Sequence, residues 1–392
     1  MKTALQHLNQ SIAWDTFLTN LSAWTLEEGI RIQQIAAPTF AERPRADYVA
    51  EQFRSFGLQQ VEIDDLHNVY GLMRGAKSGA GLMLMAHTDT VFPAETDLSV
   101  QRGSSDIVAG PGLGDNSMGV SGMLAVLKHL VDTQTVPDCN IWFVATSCEE
   151  GLGDLRGVRQ AYKTLEKHIG VVINLEGMAL GHVYHAGIAV HRLKITATTE
   201  GGHSWLHFGR ASAIHAIMQL GTKISTLQPP LTPRTTYNIG VIEGGQSINS
   251  IASSAVMWLD LRSEQQTELD KLKNQVLAIL KDVPNEVTLN VEIVGDRPSG
   301  YLNPRHVLVQ GALQALSEVN IQGTLETGST DGNIPLYFGC PCVTVGITRG
   351  GNAHRTDEFI EVSPIKQGIK QLILLTLATC QYQTANKIGG MS

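Results

Sequence analysis

Three short runs of this chain are almost unbroken apolar sequence: GLMLMA (81–86), IWFVA (141–145) and VVINL (171–175). A strand with one face in water alternates polar and apolar residues, whereas a strand apolar at successive positions must be covered on both faces. Helical spacing of apolar residues fills the intervals, over 117–131 and again from near Asp154. Strand signals VEIDD (from Val61) and NVYGLMRG (from Asn68) come earlier, and the first segment, AWDTFLTNLSAWTLEEGIRIQQIAA, reads as helical. Thr39-Phe-Ala-Glu42 has the form of a capping box opening a helix toward Phe56. Strands alternating with helices in this way predict an α/β sheet covered on both sides.

The rhythm changes at VHRLKITATTE (190–200), which alternates with period two. A helix over 212–227, strands over 235–242 and 255–262, a helix over 267–283 and a strand over 287–294 follow. The order β-α-β-β-α-β is that of a ferredoxin-like split unit, with one sheet face left to water or to a partner. After GDRPSG (295–300) the α/β rhythm resumes: a helix from Pro304, strands at Thr324 and Val343, and a last helix from Pro364. The expected architecture is a covered mixed-sheet catalytic domain, residues 1–186 and 298–392, interrupted by an inserted ferredoxin-like domain, residues 187–297. A length of 392 residues suits two hydrophobic cores.

Hydrophobic residues make up 43% and charged residues 17%, the balance of a soluble globular enzyme. With a net charge of −8 and no basic run, the chain lacks what a nucleic-acid backbone requires. The opening MKTALQHLNQSIAWDTFLTN lacks the apolar region of a signal peptide, and no apolar stretch reaches membrane-spanning length. The five cysteines (Cys139, Cys148, Cys340, Cys342, Cys380) have neither zinc-finger nor disulfide spacing, so the expected setting is the reducing cytoplasm. Cys340-Pro-Cys342 leads into the apolar run 343–347 and reads as a pair of buried thiols.

In open α/β sheets, sites form beyond the carboxyl ends of the strands. Here those ends are rich in metal-binding side chains. His87 and Asp89 close the first apolar strand; Asp115 lies in the glycine-rich loop GPGLGDN before a helix; Glu149-Glu150 follow the second strand; Glu176 ends the third; His354 sits in GNAHRTDE. Two imidazoles and five carboxylates gathered near a sheet would cost several kcal/mol per ion without a compensating cation. Oxygen and nitrogen donors without thiolate suit zinc, with cobalt or manganese as substitutes, and the number of donors suits two ions sharing one carboxylate. Adjacent glutamates can serve one site only where a strand has ended, because consecutive strand residues face opposite ways.

These motifs, in this order, resemble the dizinc peptidases and deacylases that carry a peptidase dimerisation insert: glutamate carboxypeptidase, aminoacylase, acetylornithine deacetylase, succinyl-diaminopimelate desuccinylase and peptidase T. The likeness extends from APTFAERPRADYVAEQFRSFGL to the last helix. It implies that His87 and Glu176 hold one zinc, Glu150 and His354 the other, and Asp115 both, with a cis peptide after Asp115. It implies that Asp89 orients His87 and that Glu149 is the general base. Within the insert, GGHS matches the segment whose histidine, here His203, reaches the neighbouring subunit of a homodimer. Asn249, Arg262, Gly328 and Ser329 match positions that contact substrate, although Ala252 stands where members often have proline. His182, His185, His191 and His207 match no ligand position.

The activity so implied is metal-assisted hydrolysis of small peptides or N-acyl amino acids, with Glu149 moving the proton and His203 of the partner subunit helping to hold the oxyanion. Glutamate at position 176 accompanies carboxypeptidases and deacylases in the family, and aspartate aminopeptidases. A di- or tripeptide aminopeptidase of the peptidase T type is the alternative. A non-catalytic binding protein on this scaffold would lack the base or a ligand, and none is missing.

Overall fold

A computed structural model describes residues 1–103 and 106–386. The chain divides into two compact units, one formed by Met1–Gly187 with the chain from Gly300 onward, the other by Ile188–Ser299.

The first unit is built on a nine-stranded mixed sheet. Four neighbouring strands at its centre run parallel, in the order Ile141–Thr146, Gly81–His87, Ile169–Glu176, Cys342–Gly346. The pair Gln59–Ile63 and Val69–Met73 extends one side antiparallel. His182–Gly187 joins the other side antiparallel to Cys342–Gly346 and pairs with Gly300–Tyr301 and Thr324–Gly328.

Every residue of Gly81–His87 and of Ile141–Thr146 is buried, for the reason their sequences give. Leu82, Leu84 and Ala86 enter one core with Phe143, Ile173 and Val345, alongside Leu124 of the helix Met118–Asp132 and Leu372 of the last helix. Met83 and Met85 enter a second core on the opposite face, with Val144, Val172 and Val158 of the helix Arg156–Leu165. Successive strand residues thus feed opposite faces, and each fully buried Leu or Met contributes about 1.5–3 kcal/mol. The four parallel strands end together at Thr146, His87, Glu176 and Gly346. Strand order reverses between Gly81–His87 and Ile169–Glu176, the place where an open sheet parts its loops to form a crevice.

The second unit runs strand, helix, strand, strand, helix, strand: Ala189–Thr198, Ala213–Ser225, Thr235–Gly244, Ser254–Ser263, Gln266–Leu280 and Thr288–Arg297. Its four strands are antiparallel, with Ser254–Ser263 and Ala189–Thr198 in the middle and Thr235–Gly244 at one edge. Leu193, Ile195, Met257 and Leu259 pack with Ile217, Leu220, Leu272 and Val276 of the two helices. The intervening residues Lys194 and Trp258 stay off that core, with the Lys194 ammonium 5.5 Å from the Trp258 ring centroid. No helix among the described residues is long and apolar enough to cross a membrane.

Candidate active site

All seven catalytic-domain residues singled out by their strand-end positions come together at the carboxyl edge of the parallel strands. His87 Nε2 lies 3.1 Å from Asp115 Oδ1 and 3.6 Å from Glu176 Oε2. His354 Nε2 lies 3.2 Å from Asp115 Oδ2 and 3.0 Å from Glu150 Oε1. Asp115 is therefore shared between two donor triads, His87–Asp115–Glu176 and Asp115–Glu150–His354, each with its donor atoms within 4.8 Å of one another. A third group, His87–Glu149–Glu150, places Glu149 beside both.

Local structure explains how each side chain arrives. The turn Leu113–Ser117 breaks helical geometry at Asp115 and Asn116, and the Asp115–Asn116 peptide is cis. Asn116 then ties this turn to the Glu176 strand: Nδ2 donates to the Leu175 carbonyl at 2.8 Å, and Oδ1 accepts from the Gly177 N–H at 2.8 Å. A Cβ on residue 177 would overlap the Gly114 carbonyl, so glycine there lets the segments that carry Asp115 and Glu176 close up. His354 sits at φ 66 in its loop and is half-exposed, whereas His87 is buried.

The Glu149–Glu150 segment is held by side-chain oxygens at four successive amides. Ser147 N–H donates to Asn68 Oδ1 at 3.0 Å and Cys148 N–H to Glu42 Oε1 at 3.1 Å. Glu149 N–H donates to Asp89 Oδ1 and Glu150 N–H to Asp89 Oδ2, both at 2.9 Å. Asp89 Oδ2 also accepts from Thr39 Oγ1 at 2.9 Å. The Asp89 carboxylate is thereby occupied, and it stands 3.6 Å from His87 Nδ1, beyond hydrogen-bond reach. The orienting contact to His87 comes instead from the Asp89 backbone carbonyl, at 3.1 Å from Nδ1. The expected capping box is diverted to the same end. Thr39 serves Asp89, Glu42 Oε1 accepts from Phe40 N–H at 3.0 Å as well as from Cys148, and the helix starts at Arg43 without a side-chain cap.

Glu42 and Asn68 are among the residues that sequence reasoning missed. Glu42 is fully buried, 106 positions from Cys148, and a glutamate three residues after a threonine already had a local explanation.

The electrostatics expose an excess of negative charge. Burial depresses the His87 imidazole, but Asp115, Asp89 and Glu176 outweigh it and hold its pKa well above the ordinary value. Hydrogen bonds to Asp115 and Glu150 raise His354 to about 10. Burial raises Asp115, and the two imidazoles reverse this and hold it below the usual carboxylate range. Glu176 stays raised, by burial and by repulsion from Asp115 and Glu150 that His87 offsets in part. Behind the site, buried Arg45 donates to the Thr88 and Ile35 carbonyls and lends one further positive charge near Asp89. Five carboxylates gather around two imidazoles with Arg45 behind them, so acidic groups outnumber basic ones at the site. Divalent ions on the two triads would offset that excess, and the donors, carboxylate and imidazole without thiolate, fit them. The nearby Cys148 thiol contacts Glu42, is pushed up by burial to about 12, and belongs to none of the candidate donor groups.

The remaining predicted residues each have a local setting. Gly328 ends its strand against the Tyr184 ring, and Ser329 follows it in the first unit. In the second unit His203 pairs with Ser250, and Ser204 N–H donates to the Asn249 carbonyl at 3.0 Å, so His203 and Asn249 share one small ribbon. Arg262 Nε donates to Asp260 Oδ2 at 2.6 Å. His182, His185, His191 and His207 each have a local partner, respectively Thr324, the Leu302 carbonyl, Asp296 and the His203 N–H. All five cysteines are buried and free, and burial raises Cys340 to about 12 and holds Cys342 well above the ordinary thiol value.

A mixed sheet whose parallel strands end in two carboxylate–imidazole triads with a shared aspartate defines a class: α/β proteins with a candidate metal centre at the strand ends. The family model for peptidase family M20/M25/M40 matches residues 83–378, and the chain belongs to that family. It is similar to succinyl-diaminopimelate desuccinylase of Corynebacterium glutamicum, 25% identical over 344 residues, covering 86% of this chain and 91% of the relative. It is also similar to acetylornithine deacetylase of Klebsiella pneumoniae, 24% identical over 342 residues, covering 81% and 86%. The fold matches the crystal structure of a tripeptidase from Staphylococcus aureus with a TM-score of 0.76 at 20% identity, covering 92% of this chain and 99% of that one. The protein is an enzyme, a hydrolase of amide bonds.

Proposed function

We propose that this enzyme is a divalent-metal hydrolase, built for zinc with cobalt or manganese as substitutes, that cleaves a small peptide at its C-terminal bond or removes the acyl group of an N-acyl amino acid. The observation that carries this reading is Asp115 shared between two donor triads, with Glu149 beside both. His87 and Glu176 would hold one ion, Glu150 and His354 the other, and Asp115 would bridge them. The ions, when bound, supply Lewis acidity for the scissile carbonyl and for the attacking water. Glu149 takes the proton from that water and returns it to the leaving amine. Asp89 holds the amides of Glu149 and Glu150 together, so that base and ligand keep one spacing through the cycle.

The second unit supports a ferredoxin-like dimerisation domain. The edge strand Thr235–Gly244 leaves backbone groups free for a symmetry mate. His203 is followed by Trp205, Leu206 and Phe208, which are 84%, 73% and 92% exposed, an apolar cluster that a partner surface would cover. His203 Nδ1 accepts from Trp205 N–H at 3.2 Å, which leaves Nε2 as the donor in the neutral ring, the form suited to an oxyanion. Asn249, Arg262, Gly328 and Ser329 are assigned to substrate. The five free cysteines suit a reducing, cytoplasmic setting.

A panel of dipeptides, tripeptides and N-acyl amino acids, with zinc or cobalt added, tests the assignment. N-acyl amino acids, or peptides with a free C-terminal carboxylate and a blocked amino group, are expected to turn over. Hydrolysis confined to peptides with a free amino terminus would place the enzyme with the aminopeptidases, and no hydrolysis of any amide would refute it.

A further inference from the structure

GNAHRTDE supplies a second residue besides His354. Glu358 is fully buried, and its Oε1 accepts from two consecutive amides, Gly114 N–H at 2.7 Å and Asp115 N–H at 3.0 Å. Its backbone carbonyl accepts from Gly110 N–H at 2.8 Å, so main chain and side chain hold the approach to the turn and the stretch that carries Asp115. The next residues, Phe359–Glu361, pair antiparallel with Ile107–Ala109 just before that turn. One short segment therefore bears His354 and, four residues on, fixes the loop of the carboxylate that His354 meets at 3.2 Å. Glu358 Oε2 is buried without a hydrogen-bond partner among the described residues, so a carboxylate has been kept in the interior for what one of its oxygens does.

We infer that Glu358 is a positioning residue: through the amides of Gly114 and Asp115 it sets where the Asp115 carboxylate stands between His87 and His354, and hence the affinity of the centre for its ions. The inference rests on the proposed metal centre. Hydrogen bonds to two consecutive amides are directional, and groups that orient a ligand commonly govern metal affinity by about 10–100-fold. What matters in this role is reach. Glutamine keeps an oxygen at the same distance along the side chain, whereas aspartate keeps the charge but falls about 1.5 Å short.

The test compares wild type, Glu358→Gln and Glu358→Asp. Each is stripped with a chelator, checked for folding by circular dichroism and its unfolding midpoint, and titrated with zinc by calorimetry and with cobalt by visible absorbance. Glu358→Gln is expected to bind metal within about threefold of wild type, and Glu358→Asp about 10–100-fold more weakly with an altered cobalt spectrum. A purely structural role would lower the unfolding midpoint and leave the metal affinity of the folded protein unchanged. If wild type binds metal and folded Glu358→Asp matches it within threefold, the inference falls while the metal centre stands. If wild type takes up no metal, the centre itself is refuted and the inference with it. Should Glu358→Asp fail to fold, Glu358→Met, which fills the volume without an acceptor, decides: a folded variant that binds metal about 10–100-fold more weakly upholds the positioning role, and one within about threefold of wild type overturns it.

Discussion

Replacing Glu149 with glutamine is expected to leave metal content unchanged and to lower turnover by about 10²–10⁴-fold. The amide preserves the volume of a side chain that is almost wholly buried, and the two amides held by Asp89 fix the backbone on either side of the change. What is lost is the capacity to accept a proton. Glu150→Gln should behave in the opposite way. Glu150 Oε1 is within 3.0 Å of His354 Nε2 in the Asp115–Glu150–His354 triad, so its loss weakens metal binding first and turnover as a consequence. Metal analysis and kinetics on the two variants separate base from ligand. Near-normal turnover by Glu149→Gln, or unchanged metal affinity in Glu150→Gln, would show that the roles of the pair are misassigned.

The second large effect concerns His203. Its replacement by alanine is expected to cost about 10²–10³-fold in turnover, the usual loss on removing one oxyanion donor. The more telling result comes from mixing. When inactive His203→Ala chains exchange subunits with inactive Glu149→Gln chains, a mixed dimer has one site lacking both groups and one site intact. Equal amounts should regain about a quarter of wild-type activity, because half the dimers are mixed and each carries one competent site. If His203 served its own chain, every site would lack one group and the mixture would stay inactive. Absence of recovery, with subunit exchange demonstrated by a tag, rules out action across an interface.

The sequence carried the parts of this architecture whose burial is complete. GLMLMA, IWFVA and VVINL read as strands covered on both faces, with His87, Glu149, Glu150 and Glu176 at or just past their ends, while Asp115 and His354 stood out in glycine-flanked loops. Strands with mixed surroundings were less legible. His182–Gly187 is the antiparallel neighbour that makes that side of the sheet mixed, yet it alternates exposed and buried residues over only six positions and contains two histidines. The small sheet of Gln101–Arg102, Ile107–Ala109, Gly350–Gly351 and Phe359–Glu361 has strands of two or three residues, too short for any periodicity to show. Within the site, residue identity pointed to the ligands because imidazoles and carboxylates at strand ends are costly without a purpose. It did not point to Glu42 or Asn68, whose purpose is to accept backbone N–H groups some 80–100 residues away. For Asp89 the residue was legible and the partner was not. Its carboxylate belongs to the amides of Glu149 and Glu150, and its carbonyl to His87.

Metal content measured together with activity tests the central claim most directly. Protein purified without chelators and analysed for elements should carry close to two divalent ions per chain, as two triads sharing Asp115 require. Exhaustive chelation should abolish amide hydrolysis, and added zinc or cobalt should restore it. Full activity in protein shown to be free of metal would contradict the account.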